Sequence, residues 1–193
     1  MTFTLHPHAG LHGPRAWGKL RRVMGATALC VAGVALAVNV HADTVPGKDK
    51  SFMIKAAEAG NAEVAASKAA LEKSTNPAVK DFAQKMIAQH TQVGDELKQL
   101  ASSKDVSLPS EPTVAQRAKI AVLDKLSGHT FDKRYASMIG VSAHQDAVKL
   151  FQKASTSAQD PDVKNFAAKT LPGLQEHLQM ATELKSKVDA AKE

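Results

Sequence analysis

Glu63, His90, His144 and His177 each fall at the middle of a separate long helical pattern, and they are the residues best equipped for chemistry in this chain. Imidazole nitrogens with one carboxylate are donors that a borderline divalent ion such as Zn, Cu or Fe accepts. A carboxylate inside a helical core is costly unless something answers it, so Glu63 needs a metal, a protonated histidine or a hydroxyl beside it. The alternative is structural: an inward histidine is commonly a satisfied core residue, and a buried polar layer can serve only to fix bundle packing. Of the eight histidines in the chain, His129 falls in a turn and reads as solvated. Met86 precedes His90 by four and Met180 follows His177 by three, so each pair shares a helix face. Thioether beside imidazole suits copper, and a His/Met pair can ligate haem, although methionine at such positions is more often core filler. No CxxCH is present, which excludes covalently attached haem.

The elements that carry these residues follow from apolar periodicity. A first helix is expected over Ser51–Ser74, with Phe52, Ala56, Ala59, Glu63, Ala66 and Ala70 on one stripe. A second runs from Pro77 to Ser103, with Asn76 as N-cap and Pro77 at the first helical position. A third spans Phe131–Ala154 and places Tyr135 and His144 inward. The fourth starts at Asp160-Pro161 and runs past Val188, with Pro172-Gly173 predicting a kink or local break inside it. The midpoints of these spans put the four candidates at heights that differ by roughly 3 Å at most. Between the second and third helices, Leu108-Pro109-Ser110-Glu111-Pro112 stops any helix, and a short amphipathic one is expected over Val114–Leu126. Short links inside each pair and one long crossover predict an all-α, ferritin-like four-helix bundle of two hairpins, with a short extra helix in the crossover.

A repeat supports the two-hairpin reading. Asn76-Pro77-Ala78-Val79-Lys80-Asp81-Phe82-Ala83-Gln84-Lys85 matches Asp160-Pro161-Asp162-Val163-Lys164-Asn165-Phe166-Ala167-Ala168-Lys169 at six of ten positions, and after a three-residue insertion around Leu171-Pro172-Gly173 His90 aligns with His177. Phe82 should therefore correspond to Phe166.

Residues 1–42 read as an export signal. Arg15, Lys19, Arg21 and Arg22 precede an apolar run from Val23 to Val38, and Val40-His41-Ala42 offers a cleavage site. The 16-residue run is short for a spanning helix, which needs about 20 residues, so a retained anchor is the lesser reading. Residues 43–50 read as a flexible start and 51–190 as the folded domain. Losing the leader's four basic residues leaves 21 basic against 19 acidic, a net charge of +2. The basic pI of the whole chain therefore belongs largely to the leader and does not argue for nucleic acid. The lone Cys30 lies in the leader, and a cysteine-free domain suits an oxidising compartment. No second apolar run spans a membrane. A protein partner is not legible, and the sequence leaves room for a homo-oligomer.

Glu63 after an alanine-rich helix, Phe82-Ala83 before His90, Phe131-Asp132-x-x-Tyr135 before His144, and Leu171-Pro172 before His177 resemble the bacterial family called domain of unknown function 4142. The resemblance implies an exported, ferritin-like domain, often labelled an outer-membrane protein, so peripheral association with that membrane is compatible with a periplasmic location. One departure from true ferritins matters. Di-iron bundles carry Glu-x-x-His on two helices, whereas Ile87 and Leu174 stand three before His90 and His177. No nucleophile motif, phosphate loop or HExxH appears, so nothing in the residues argues for an enzyme.

Overall fold

A computed structural model describes residues 44–191; the export signal expected over 1–42 lies outside the described residues. Six α-helices form within them: α1 Gly47–Lys73, α2 Pro77–Ser103, α3 Val114–Leu123, α4 Gly128–Tyr135, α5 His144–Ser157 and α6 Pro161–Ala190. A π-helical segment, Ala136–Ala143, joins α4 to α5 without a break, so the third long helix runs from Gly128 to Ser157. α1 packs chiefly on α2 and α5 on α6, and the crossover between the two hairpins carries α3. The fold is the expected all-α, ferritin-like bundle.

Local chemistry sets the helix starts. Asn76 accepts from Ala78 N, Asp160 accepts from Asp162 N and Val163 N, and each is followed by a proline that has no N–H to leave unpaired. Thr113 and Gln116 form a reciprocal capping box that starts α3 straight after the proline-containing strap.

Three expectations need correction. α1 begins at Gly47 rather than Ser51, so the last four residues of the segment expected to be flexible are helical. The cause is Asp49, buried at 3% exposure, whose Oδ2 accepts from Gln159 N at 2.8 Å and Asp160 N at 2.7 Å. One carboxylate thus ties the first turn of α1 to the start of α6. Second, α6 stays helical through Pro172 with no local break, because one proline removes a single ladder bond while buried residues on both sides hold the helix. Third, the π segment replaces the uniform α-helix expected in the middle of the third element.

The core falls into two clusters. One holds Ala66 and Ala70 of α1, Phe82 and Met86 of α2, Phe131, Tyr135 and Ile139 of the third long helix, and Leu184 and Val188 of α6. The other holds Phe52 and Met53, Leu97 and Ala101, Phe151 and Ala154, and Val163 and Phe166. On every long helix the candidate polar residue lies in sequence between the members of the two clusters. Phe82 meets Tyr135 with ring centroids 6.2 Å apart, and Phe166 meets Phe52 at 6.5 Å. The repeated phenylalanines thus play equivalent parts at opposite ends of the bundle.

Candidate metal centre

Glu63, His90, His144 and His177 are all buried, at 2%, 5%, 0% and 4% exposure. The bundle brings all four into one layer. Glu63 Oε2 lies 3.0 Å from His90 Nε2, and His90 Nε2 lies 3.3 Å from His144 Nε2. The centroids of the three imidazoles are mutually 5.1–5.4 Å apart. One nitrogen from each ring lies within 4.8 Å of the corresponding nitrogen of the other two, so the three rings could close on one metal ion. The 3.3 Å between His90 and His144 is close to the ~3.3–3.4 Å edge that two imidazole nitrogens make on a tetrahedral ion at about 2.0–2.1 Å. His129 takes no part in this cluster.

Neighbouring backbone and side chains decide which nitrogens are bare. His144 Nδ1 donates to the carbonyl of Gly140 at 2.8 Å, with the Ile139 carbonyl at 3.2 Å, so its Nε2 carries a lone pair toward the cluster. Both carbonyls belong to the π segment. The backbone N–H of His144 turns to Val141 O, so the imidazole rather than the amide meets the Gly140 carbonyl at short range. Irregular π turns recur at functional sites for this kind of reason. On the opposite side, His177 Nε2 donates to Gln89 Oε1 at 2.7 Å, which leaves its Nδ1 as the free acceptor. That Nδ1 is buried and has no hydrogen-bond partner, and the same holds for Glu63 Oε1. Buried polar atoms in native proteins are nearly always answered. Two orphaned acceptors in one layer are what a bound cation would satisfy.

The protonation states agree. Burial holds His177 down to about 3, helped by the neighbouring His90, His144 and Lys85. His90 is likewise lowered, by burial first and by His144, against the opposing pull of Glu63. Both rings are thus neutral at physiological pH, the form a metal requires. Next to the cluster, Ser67 Oγ and Tyr135 Oη share a 2.8 Å hydrogen bond one turn along α1 from Glu63. Burial pushes the Tyr135 phenol well up, with the Glu63 charge adding to it, so Tyr135 stays a neutral hydroxyl.

Access to the layer comes from α1. A cavity of about 370 Å³ between α1 and α2, under the strap Leu108–Pro112, reaches Glu63 and His90. A second, of about 210 Å³, lies between α1 and the third helix beside α3 and also reaches Glu63.

The sequence singled out the four central residues but not Gln89, Gly140, or Tyr135 with Ser67 as their supports. Gln89 adjoins His90 and could have been flagged from that position alone. The Gly140 carbonyl could not, since it depends on a π turn with no sequence signature here. Met180 is not drawn into the cluster; its Sδ accepts from Lys85 Nζ at 3.2 Å while Lys85 also pairs with Glu176 at 2.9 Å.

A family model described as Domain of unknown function (DUF4142) matches residues 36–184. The chain belongs to that family. No curated protein and no solved structure matches it. DUF4142 membership agrees with the resemblance read from the residues, and it assigns no activity. Among the described residues, no helix is long and apolar enough to cross a membrane.

Proposed function

We propose that this protein is an exported, periplasmic ferritin-like domain that binds one transition-metal ion through His90, His144 and His177, with Glu63 as the fourth donor, and serves metal or oxidative-stress handling in the cell envelope. The observation that carries the reading is the pair of buried, unanswered acceptors, His177 Nδ1 and Glu63 Oε1, in a layer with two more buried imidazoles. Three nitrogens and one carboxylate without sulfur suit Zn, Cu(II) or Fe. A single carboxylate beside three imidazoles leaves too few donors for a second metal, so the chemistry of di-iron ferritins is not supported. The ion would supply Lewis acidity or redox capacity; the chain's own contribution is to hold His144 and His177 in fixed tautomers, place His90 beside them, and keep bulk water from all three rings.

One observation favours the structural reading. His90 already bonds Glu63 at 3.0 Å, so part of the layer is satisfied without an ion. The two readings separate in one experiment. Protein expressed without a histidine tag should retain stoichiometric metal, and adding metal to the stripped form should raise the unfolding midpoint. A hundredfold excess over Kd stabilises by about 2.7 kcal/mol. His177→Ala should remain helical and lose the metal response. An unchanged midpoint in the parent protein would leave only a structural layer.

A further inference from the structure

Two glycines in helix interiors, Gly60 and Gly94, line the 370 Å³ cavity that reaches Glu63 and His90. Gly60 stands three residues before Glu63 and Gly94 four after His90, so each glycine shares a face with a residue of the polar layer. Glycine weakens a helix interior relative to alanine. Packing does not explain its use here, since a Cβ at either position would meet nothing within 4 Å. The space is therefore open in the two helices at the place that leads to the cluster. The walls beyond the glycines are apolar, from Val93, Leu97 and Phe151. The strap covers the outside, held by Asn61 Nδ2 donating to the Pro109 carbonyl at 3.1 Å.

We propose that this cavity is a ligand pocket on the open side of the metal centre, and that it takes a small aliphatic carboxylate whose head reaches the ion between Gly60 and Gly94 while its tail lies against Val93, Leu97 and Phe151. The inference rests on the metal reading above. Charge selects the head: a divalent ion against the single Glu63 carboxylate leaves the inner end positive. Lys68 and Lys98 line the pocket as well, Lys98 shared with Asp95, against one carboxylate from the strap, Glu111. Shape selects the tail, because an apolar cavity of this size is larger than an inorganic anion needs. The three imidazoles and Glu63 make up four donors, so the carboxylate head enters as a fifth from this open side, an expansion that such ions allow.

The test uses the full chain, expressed without a histidine tag and loaded with cobalt(II), whose visible absorption reports its ligands. Acetate, butyrate and hexanoate should each change that spectrum, with affinity rising by roughly fourfold per added methylene until the cavity is full. Gly94→Leu fills the pocket and should take up cobalt(II) as before while weakening hexanoate at least tenfold. Gly60→Ala, the milder change, should raise the unfolding midpoint and weaken hexanoate by a smaller factor. Absence of cobalt(II) uptake by the parent protein would overturn the metal reading and this inference with it. Uptake with no spectral response to carboxylates would overturn the inference alone, as would a response undiminished in both glycine variants. Alcohols of matched length binding as tightly would overturn the anionic head.

Discussion

His177 is held by one hydrogen bond from Nε2 to Gln89, and this single contact decides which of its nitrogens faces the cluster. Gln89→Leu should leave the bundle folded yet free the ring to rotate or change tautomer, lowering metal affinity by about 10–100-fold in a titration, as loss of such outer partners commonly does. Affinity equal to the parent's would show that packing alone orients His177. Acid adds an independent check on the metal-free protein. His177 is held at about 3 and His90 is also lowered, whereas both titrate near 6.5 in the unfolded chain. Below about pH 6.5 the unfolded chain takes up protons that the folded one refuses, so stability is complete above that pH and falls toward about pH 3. Urea midpoints measured at pH 7.5 and pH 5 should differ in that direction, and a constant midpoint would contradict neutral buried rings. The four central residues were legible in the sequence because polar groups interrupt apolar stripes at equal heights. Their partners were not, because the bond His177 donates to Gln89 depends on how helices rotate against each other and the bond His144 donates to Gly140 depends on a π turn, neither of which periodicity reports.

At the scale of elements, the π segment brings two features together. It aims the Gly140 carbonyl at His144, and it presses Gly140 against α6, where an added Cβ would lie 3.2 Å from Ala181 Cβ. Gly140→Ala should therefore destabilise the bundle by about 1–3 kcal/mol through overpacking. Ala181→Gly in the same chain should recover part of that in thermal melts; no recovery would place the cost in the π turn itself. Asp49 makes the corresponding argument at the other end. Asp49→Ala removes the acceptor for two backbone N–H groups and should cost about 2–3 kcal/mol, read from denaturant unfolding. Helix starts at Pro77 and Pro161 were readable because cap and proline act locally. The start of α1 was misread because its cause, Asp49, is a contact 110 residues away in sequence.

Over the whole molecule, the polar layer separates two apolar cores, an arrangement unfavourable for stability alone. Replacing a buried polar set by hydrophobic residues of similar size is often neutral or stabilising by about 1–4 kcal/mol. The quadruple variant Glu63→Leu, His90→Leu, His144→Leu and His177→Leu should accordingly match or exceed the metal-free parent in unfolding midpoint, while binding no metal. A marked loss of stability would instead make the layer a structural requirement. The two-hairpin topology was legible from link lengths and the repeat, yet the split core was not, since a stripe of alternating sizes gives no hint of which helix ends meet. That split has a consequence for assembly. Each core takes side chains from all four long helices, so either hairpin alone holds only part of each and leaves it facing water. A chain severed after Pro109 should yield two pieces that are unstructured apart and regain helix when mixed, at a rate proportional to both concentrations. The halves that look like copies of one ancestral hairpin are, by this measure, each other's obligatory template.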